Sequence, residues 1–293
     1  MLDFRVTSFL TVCHTMNFTK AAAELNLTQP AVTQQIHYLE NYYGVKLFCY
    51  EKKVLTLTEQ GRILYARLNA MEKDEEIIRN ELRKQPDVHP LISIGVTMTI
   101  GEYAVISPLT SYIRAHPAVN IHVHYGNTQE LLRLLDQGKI SLALIEGYYP
   151  EERYGYRKYR TEEYICVCAK NHVFQNGTPR QIRDLLPERL LVRESGSGTR
   201  NILERYLAAQ GMTVSDFPSF MEIENMHTLI QLLLEDCGIS FLYRIAANEG
   251  LAVGQLREIR LTDFFMRHDF DFIWDKNSIF AGETEKLAEE LAL

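Results

Sequence analysis

Long apolar runs are absent from this sequence of 293 residues. No run approaches the ~18 residues that a membrane-spanning helix needs, so we expect no such helix. The N-terminus also lacks the charged and then apolar layout of a secretion signal. Five cysteines are too few and too scattered for a disulfide framework. Together these absences predict a protein of the cytoplasm.

An excess of basic charge is also missing, because the formal net charge is −7. The acidic surplus is uneven along the chain. Residues 1–84 hold 11 Lys and Arg against 10 Asp and Glu, whereas residues 85–293 hold 20 against 28. The first part is therefore the part that can approach a polyanion, with a weak attraction that salt should screen quickly.

A pair of short helices is predicted near the start of the chain. Thr19 can cap an alanine-rich helix over residues 20–25, whose small side chains let a second helix approach closely. Residues 26–27 make a turn, and Thr28 can cap the next helix with Pro30 in its first turn. This arrangement is a helix-turn-helix.

The second helix has two distinct faces. Val32, Ile36 and Leu39 recur at helical spacing and form the buried stripe. The opposite face carries short or hydrogen-bonding side chains, which a helix needs to read base edges in the major groove of DNA. The residues that we expect to contact DNA are Thr28, Gln29, Pro30, Ala31, Thr33, Gln34 and His37. As a bare pattern, an ordinary helical pair with a solvated polar face fits about equally well.

The flanking segments favour DNA binding over that alternative. An amphipathic helix is predicted over residues 2–14, and residues 47–50 and 54–57 can pair as a hairpin. Lys52 and Lys53 lie at the tip of this hairpin and suit contacts with phosphate. The sequence therefore predicts a winged helix-turn-helix DNA-binding domain over residues 1–60.

These residues resemble the DNA-binding end of LysR-type transcriptional regulators. Matching segments follow in order and spacing over residues 18–25, 29–36, 39–40, 44–48 and 57–61. Two places depart from the family pattern. The family usually has a basic pair where His37 and Tyr38 stand, and an arginine where Cys49 and Tyr50 stand. Both changes remove expected phosphate contacts.

A long helix is predicted to follow the hairpin, from a cap at Thr58 to about Lys84. Its apolar residues have coiled-coil spacing, interrupted by Glu75, and they are Leu64, Leu68, Met71, Ile78 and Leu82. A single helix packed on its own domain is the alternative. The resemblance implies a linker over residues 58–87 that forms a homodimer, with two recognition helices reading paired half-sites, and a homotetramer built from two dimers.

Prolines at positions 86 and 90 break this helix, and alternating strands and helices follow. The alternation predicts an α/β fold with a largely parallel sheet. We expect a first strand over residues 91–96, a helix over residues 102–115 and a later strand over residues 164–169. The resemblance implies a two-lobed, periplasmic-binding-protein-like effector domain over residues 91–293. Lobe I would span 91–161 and 267–293, and lobe II would span 162–266.

Two loops are candidate ligand sites, over residues 95–101 and 193–200. Each follows a predicted strand and opens a helix, and ligands of open α/β sheets bind at such strand ends, beside free N–H groups. Glycines let the second loop close on a ligand, and Arg200 can pair with a carboxylate or phosphate. The candidate effector-binding residues are Thr97, Met98, Thr99, Ile100, Glu146, Ser195, Gly196, Ser197, Gly198, Thr199, Arg200 and Asn225.

The second loop resembles the Arg-Glu-x-Gly-Ser-Gly-Thr-Arg signature of a LysR-type subgroup that includes regulators of carbon fixation and sulfur metabolism. This resemblance implies a small anionic effector. Two structural alternatives stay open: Arg200 paired to an acid in a purely structural turn, and Thr97 and Thr99 acting only as helix caps. Where many relatives carry a basic residue, this chain has Ile230, so one anion contact is missing.

The remaining chemistry-bearing residues have plainer interpretations. His122 and His124 share one strand face with no further ligands nearby, so we predict no metal site. Cys166 and Cys168 are expected to be core thiols, with redox sensing through this pair or through Cys237 as the alternative. Residues 148–150 and 154–156 are expected in a crossover turn, with an aromatic pocket wall as the alternative. No catalytic pattern indicates an enzyme or a cofactor, although a small-molecule binding protein or enzyme remains an alternative. The expected partners are promoter DNA, a small anion, further copies of the chain, and RNA polymerase.

Overall fold

The structure, a computed structural model, describes residues 3–52, 54–82 and 91–292. These residues form two compact units. Unit 1 contains the described residues up to 82 together with Asn277–Ala281, and unit 2 contains the rest. Within the described ranges, none of the helices combines the length and the apolar character needed to cross a membrane.

Unit 1 has the predicted order of three helices, a hairpin and a long helix. Its elements are α1 (Phe4–Thr15), α2 (Phe18–Glu24), α3 (Gln29–Tyr43), β1 (Phe48–Glu51), β2 (Val54–Leu57) and α4 (Glu59–Leu82). The strands β1 and β2 are antiparallel. The predicted cap of α2 is wrong: the side chain of Asn17, not Thr19, accepts the free N–H groups of Thr19 and Lys20.

The core of unit 1 brings α1, α2, α3 and the hairpin together. Ala21 and Ala22 are buried, and their small side chains let α2 lie close to α3. The stripe of Val32, Ile36 and Leu39 is buried as predicted. This packing fixes the opposite face of α3 toward solvent.

The predicted coiled-coil residues of the long helix α4 fall into two groups by burial. Leu64 and Leu68 pack against the core of unit 1, so they stabilise a single chain. Met71, Ile78 and Leu82 are exposed instead. Only the second half of the predicted seam is therefore free to meet another chain. The predicted linker residues 83–87 lie outside the described residues, and so does Lys53.

Unit 2 alternates strands and helices around one mixed sheet. Its strands are β3 (Leu91–Thr97), β4 (Asn120–Gly126), β5 (Leu142–Ile145), β6 (Tyr154–Ala169), β7 (Leu190–Arg193), β8 (Phe220–Ile223), β9 (Ile239–Tyr243), β10 (Leu256–Glu258) and β11 (Met266–Asp275). Its α-helices are α5 (Met98–Tyr103), α6 (Ile106–Ala115), α7 (Thr128–Asp136), α8 (Gly198–Ala209), α9 (Met226–Leu234), α10 (Arg244–Ala252) and α11 (Ala281–Ala292).

The sheet contains two parallel groups joined by antiparallel strands. The order is β4-β3-β5-β11-β6-β9-β7-β8, and β10 pairs with β6. Strands β4, β3 and β5 are parallel to one another, as are β9, β7 and β8, whereas β11 and β6 are antiparallel to their neighbours. The carboxyl ends of each parallel group lie at one edge, where sheet ligands bind.

Two predicted elements of unit 2 are wrong in extent. Residues 154–156 do not form a turn but begin β6, where Gly155 leaves room for the indole of Trp274: an added Cβ would lie 2.5 Å from its Nε1. The helix expected over 102–115 is two helices, α5 and α6. Helix α6 starts at Ile106 with Pro108 in its first turn, where a missing N–H is tolerated.

Candidate functional site

The outward face of α3 is the candidate surface of unit 1. Thr28 caps α3, with its hydroxyl accepting from the Ala31 N–H at 3.4 Å. The exposed residues of the predicted set are Thr28, Gln29, Pro30, Gln34 and His37, and Ala31 and Thr33 are partly exposed. Gln29 donates from Nε2 to the Thr33 hydroxyl at 2.9 Å. The first two turns of α3 therefore present a continuous polar and small-residue surface.

A buried carboxylate connects α3 to the segment before the hairpin. Glu40, 6% exposed, accepts from Lys46 Nζ at 2.6 Å and from the Leu47 N–H at 3.0 Å, and His37 Nδ1 lies 3.2 Å away. Burial alone would raise the pKa of Glu40, but Lys46, Leu47 and His37 outweigh it and lower that pKa. His37, predicted to contact DNA, thus also has a partner within the protein.

A cation that sequence reasoning missed lies beside this surface. The guanidinium of Arg5 in α1 stacks on the ring of Tyr38 in α3, 3.8 Å from its centre. Tyr38 stands where the family pattern usually has a basic residue, so Arg5 brings positive charge back to that place. Lys52 at the hairpin turn is exposed and has a left-handed φ of +49°.

The candidate site of unit 2 lies where loops from both parallel groups meet. Thr97 ends β3 and Thr199 is in the first turn of α8, after β7. The hydroxyls of Thr99 and Thr199 are 3.5 Å apart. Thr97, Thr99 and Thr199 are all buried. The structure therefore brings together the two loops that the sequence singled out.

A carboxylate lies at the centre of this site. Glu146, 1% exposed, follows β5 and accepts hydrogen bonds from the hydroxyls of Thr97 and Thr199, the latter at 3.1 Å. Burial raises the pKa of Glu146, and the hydroxyls and the charge of Arg193 oppose that rise. The hydroxyls expected to hold an anionic ligand thus already bind a carboxylate of the protein.

Glycines make the close approach of these loops sterically allowed. A Cβ on Gly198 would lie 2.3 Å from the carbonyl oxygen of Glu146, which also accepts from the Thr128 hydroxyl at 2.8 Å. A Cβ on Gly147, whose φ is +94°, would lie 2.6 Å from the Cα of Gly198. Beside this contact, the guanidinium of Arg205 in α8 lies 3.6 Å from the ring centre of Tyr148.

Three further side chains at the site carried no clear sequence signal. Tyr164 in β6 donates to the Thr199 carbonyl at 2.8 Å. Tyr243 ends β9 and packs edge-on against Tyr164. Arg193 ends β7, is 3% exposed, and pairs through two nitrogens with Glu194. Sequence reasoning used Arg193 only as part of a loop motif, and nothing in the pattern separates the two tyrosines from ordinary buried aromatics.

Other predicted effector residues occupy different positions. Arg200 donates to Glu204 at 2.7 Å, to Glu222, and to the Arg193 carbonyl at 3.1 Å. Arg200 thereby connects α8 to β8. This pairing with acids is the structural alternative considered for Arg200. Asn225 caps α9 by accepting from the Thr228 N–H at 2.8 Å.

The rest of the predicted ligand set divides by burial. Ile100 and Ser197 are buried, Ser195 is exposed, and Met98 and Gly196 are partly exposed. Gly196 has a φ of +93°, which explains why a glycine stands there.

The histidine pair and two of the cysteines considered for metal or redox chemistry lie in strands of unit 2. His122 and His124 stack with ring centres 4.0 Å apart, and no group of three or more potential metal ligands forms among the described residues. Cys166 and Cys168 are buried. Burial raises the pKa of Cys168 to about 11 and raises that of Cys166 well above its ordinary value, so neither thiol is activated.

Comparison with known families gives two matches along the chain. The model described as bacterial regulatory helix-turn-helix protein, lysR family, matches residues 5–62. The model described as LysR substrate binding domain matches residues 87–291. The first covers α3 and the hairpin, and the second covers the buried site around Glu146.

Individual proteins are similar over most of the chain. The HTH-type transcriptional regulator CfxR of Cupriavidus necator is 33% identical over 85% of this chain and 77% of its own length. The regulator CysL of Bacillus subtilis is 28% identical over 91% of this chain and 88% of its own. Among solved structures, ArgP from Mycobacterium tuberculosis superposes with a TM-score of 0.61 at 17% identity, covering 100% of this chain and 98% of that one. That last likeness concerns the fold.

Proposed function

The chain belongs to the LysR family of transcriptional regulators, and on this premise we propose that it reads promoter DNA through α3 under the control of a small metabolite. The metabolite would bind where the loops of unit 2 meet. The observation that carries the DNA-binding part is the outward face of α3, held in place by the buried stripe on its other side. Such a protein acts in the cytoplasm, and we assign it no catalytic role.

DNA contacts are proposed for the outward face of α3, for Arg5 and for the two lysines that the sequence places between β1 and β2. Gln29 and Thr33 suit base edges, because glutamine pairs with adenine and the threonine methyl fits the methyl of thymine. Lys52, Lys53 and Arg5 suit phosphates. Since residues 1–84 carry a net charge of only +1 by residue count, affinity should depend on few phosphate contacts and on pairing of two copies.

The proposed pairing uses the exposed apolar residues in the second half of α4. Met71 and Ile78 are 53% and 38% exposed, and Leu82 is 81% exposed. Three such residues on one helix are typical of a face that another helix covers. Two copies joined there would place two α3 helices on paired half-sites, and a tetramer would join two such dimers. Altered spacing of those dimers would change DNA bending and access of RNA polymerase.

The proposed ligand site in unit 2 is supported by convergence of strand ends. Thr97, Thr99, Thr199 and Arg193 come from the carboxyl ends of β3 and β7, where ligands of such sheets bind. The family resemblance implied an anion. Because Glu146 places a carboxyl group among these hydroxyls, the site does not by itself favour an anion.

The decisive experiment is fluorescence anisotropy of the purified full-length chain with DNA from upstream of its own coding region, at low and rising salt. We expect saturable binding to one segment, at least tenfold tighter than to scrambled DNA. A protein that shows no preference for its own upstream DNA at low salt would contradict the proposal. Addition of cell-extract metabolites should then change the affinity or the pattern of protection.

A further inference from the structure

The charges around the Glu146 site do not balance. Arg193 is the guanidinium that interacts with Glu146, and it also pairs with Glu194 and interacts with Glu102 in α5. Glu102 is partly buried, and His227 also interacts electrostatically with it. Three carboxyl groups thus share one buried cation, and burial makes each unpaired carboxylate costly.

The hydroxyls that surround Glu146 cannot serve an anion without giving up that carboxylate. Thr97 donates to one of its oxygens and Thr199 donates to the other. An anion placed among these hydroxyls would therefore lie next to Glu146 and favour the neutral, protonated form of that carboxyl group, whereas a positively charged group there would favour its ionised form. Hydroxyl groups and a carboxylate together form instead a cradle for a positively charged donor.

Two other buried polar atoms at the site lack partners. Among the described residues, the Nη1 of Arg193 and the hydroxyl of Tyr243 have no hydrogen-bond partner. Arg193 is 3% exposed and Tyr243 is fully buried. Unpaired buried donors are rare in folded proteins, because each costs free energy. Arg193 ends β7, and Tyr243 ends the neighbouring strand β9. Tyr243 packs against Tyr164, whose hydroxyl donates to the Thr199 carbonyl.

From these contacts we propose that the metabolite is a small amino acid. This inference rests on the proposed function. The ammonium group of the amino acid would pair with Glu146, and its carboxylate would accept hydrogen bonds from Arg193 and Tyr243. The ammonium group would give Glu146 a cation of its own, and the ligand carboxylate would be the acceptor that the two free donors lack; the zwitterion leaves the net charge of the site unchanged. Arg200, bound to Glu204 and Glu222, has no part in this recognition.

The test measures thermal stability and DNA affinity of the full-length protein with matched compounds. One set contains the common α- and ω-amino acids. The second set contains the same carboxylates without the ammonium group, together with sulfate, phosphate and phosphoglycolate. We expect at least one amino acid to raise the melting temperature and alter DNA affinity, while its ammonium-free counterpart does neither at the same concentration.

The variant Glu146→Gln keeps the shape of the side chain and removes its charge. We expect it to bind the active amino acid at least about 30-fold more weakly, because it removes one partner of a buried charge pair. The matched control Glu152→Gln changes an exposed acid in the turn before β6 and should bind like the original protein. Circular dichroism spectra that match that of the original protein verify that both variants are folded.

Contrary outcomes separate this inference from the proposed function. If sulfate, phosphate or a carboxylate stabilises the protein and changes DNA affinity while amino acids do not, the amino-acid assignment is overturned and the regulator remains. Stabilisation by amino acids that is equal in Glu146→Gln overturns the assignment to this site. If amino acids bind through Glu146 without changing DNA affinity, the ligand assignment holds and metabolite control is refuted. Absence of a shift with every amino acid also overturns the inference.

Discussion

Replacing Gly198 by alanine should loosen the contact on which the unit 2 site depends. The new methyl would lie 2.3 Å from the Glu146 carbonyl oxygen and 2.8 Å from the Thr128 hydroxyl oxygen. Both distances are too short, so α8 and the loop after β5 must move apart. Because the first obstacle is backbone, no flexible side chain can simply swing away.

The magnitude follows from three terms. Overpacking of a close contact costs roughly 1–3 kcal/mol. Loss of the Thr128 hydrogen bond to the Glu146 carbonyl adds about 1 kcal/mol. Alanine in place of glycine in a helix returns at most about 1 kcal/mol, and less in the first turn of α8. We therefore expect a net loss of about 1–3 kcal/mol in the free energy of unfolding, or a melting temperature lower by roughly 3–10 °C.

The protein contains its own reporter for this measurement. Its single tryptophan, Trp274, is buried in β11 of unit 2, so its fluorescence follows unfolding of that unit in urea. The matched control is Gly282→Ala in α11, where an added Cβ meets nothing within 4 Å. We expect that control to be neutral or slightly stabilising. Equal stability of Gly198→Ala and the original protein would refute the reasoning about loop contact.

Four further predictions concern unit 1. Gln29→Ala should weaken binding to the preferred DNA site by roughly 1–3 kcal/mol and relax its sequence preference, as competition assays with base-substituted sites measure; an unchanged preference would place the reading face elsewhere. Arg5→Ala should weaken binding to all sequences alike and reduce the slope of log affinity against log salt by about 1, and an unchanged slope would exclude a phosphate contact. Ile78→Glu should shift sedimentation toward a smaller species, whereas the exposed control Val253→Glu should not; equal behaviour would exclude α4 as the interface. The pKa of Glu40 is lowered on folding, so its contribution to stability is complete above the ordinary carboxyl pKa and is lost as pH falls through the lower folded value. In acid, the free energy of unfolding measured with urea and circular dichroism should therefore depend less on pH in Glu40→Gln than in the original protein. An identical pH profile of the two proteins would contradict this.

Sequence patterns located the elements of unit 1 because their signals are local. The buried stripe of α3, the Thr28 cap and the hairpin each depend on residues a few positions apart, and all three are observed. The cap of α2 was wrong because Asn17 and Thr19 are both good capping residues, and only the backbone decides between them. The wider error, in α4, arose because the apolar spacing of Leu64 and Leu68 suits a partner chain and the domain core equally well.

In unit 2 the two candidate ligand loops could be located from sequence, but the partners of their side chains could not. Strand-to-helix loops with glycines and hydroxyls are visible in the chain, and the structure brings Thr99 and Thr199 together as expected. Of the two acids that bind Arg200, Glu204 is four positions away and visible in the sequence, whereas Glu222 lies on another strand and is not. The sequence predicted only the second half of the long strand β6. Its first half is mostly exposed and charged, so it lacks the apolar alternation that indicates a strand.

The position of Glu146 shows why a motif alone does not define what a site binds. The glycine loop of residues 193–200 resembles a subgroup signature in sequence, and in the structure its Thr199 hydroxyl donates a hydrogen bond to Glu146. The carboxylate that they meet comes from a different strand, about fifty positions earlier in the chain, and only the fold brings it there. One acidic residue at that strand end changes the charge that the same hydroxyls can accept. If the amino-acid proposal holds, Glu146 after β5 selects the ammonium group of the ligand, and a prediction from the two sequence loops alone misses that group.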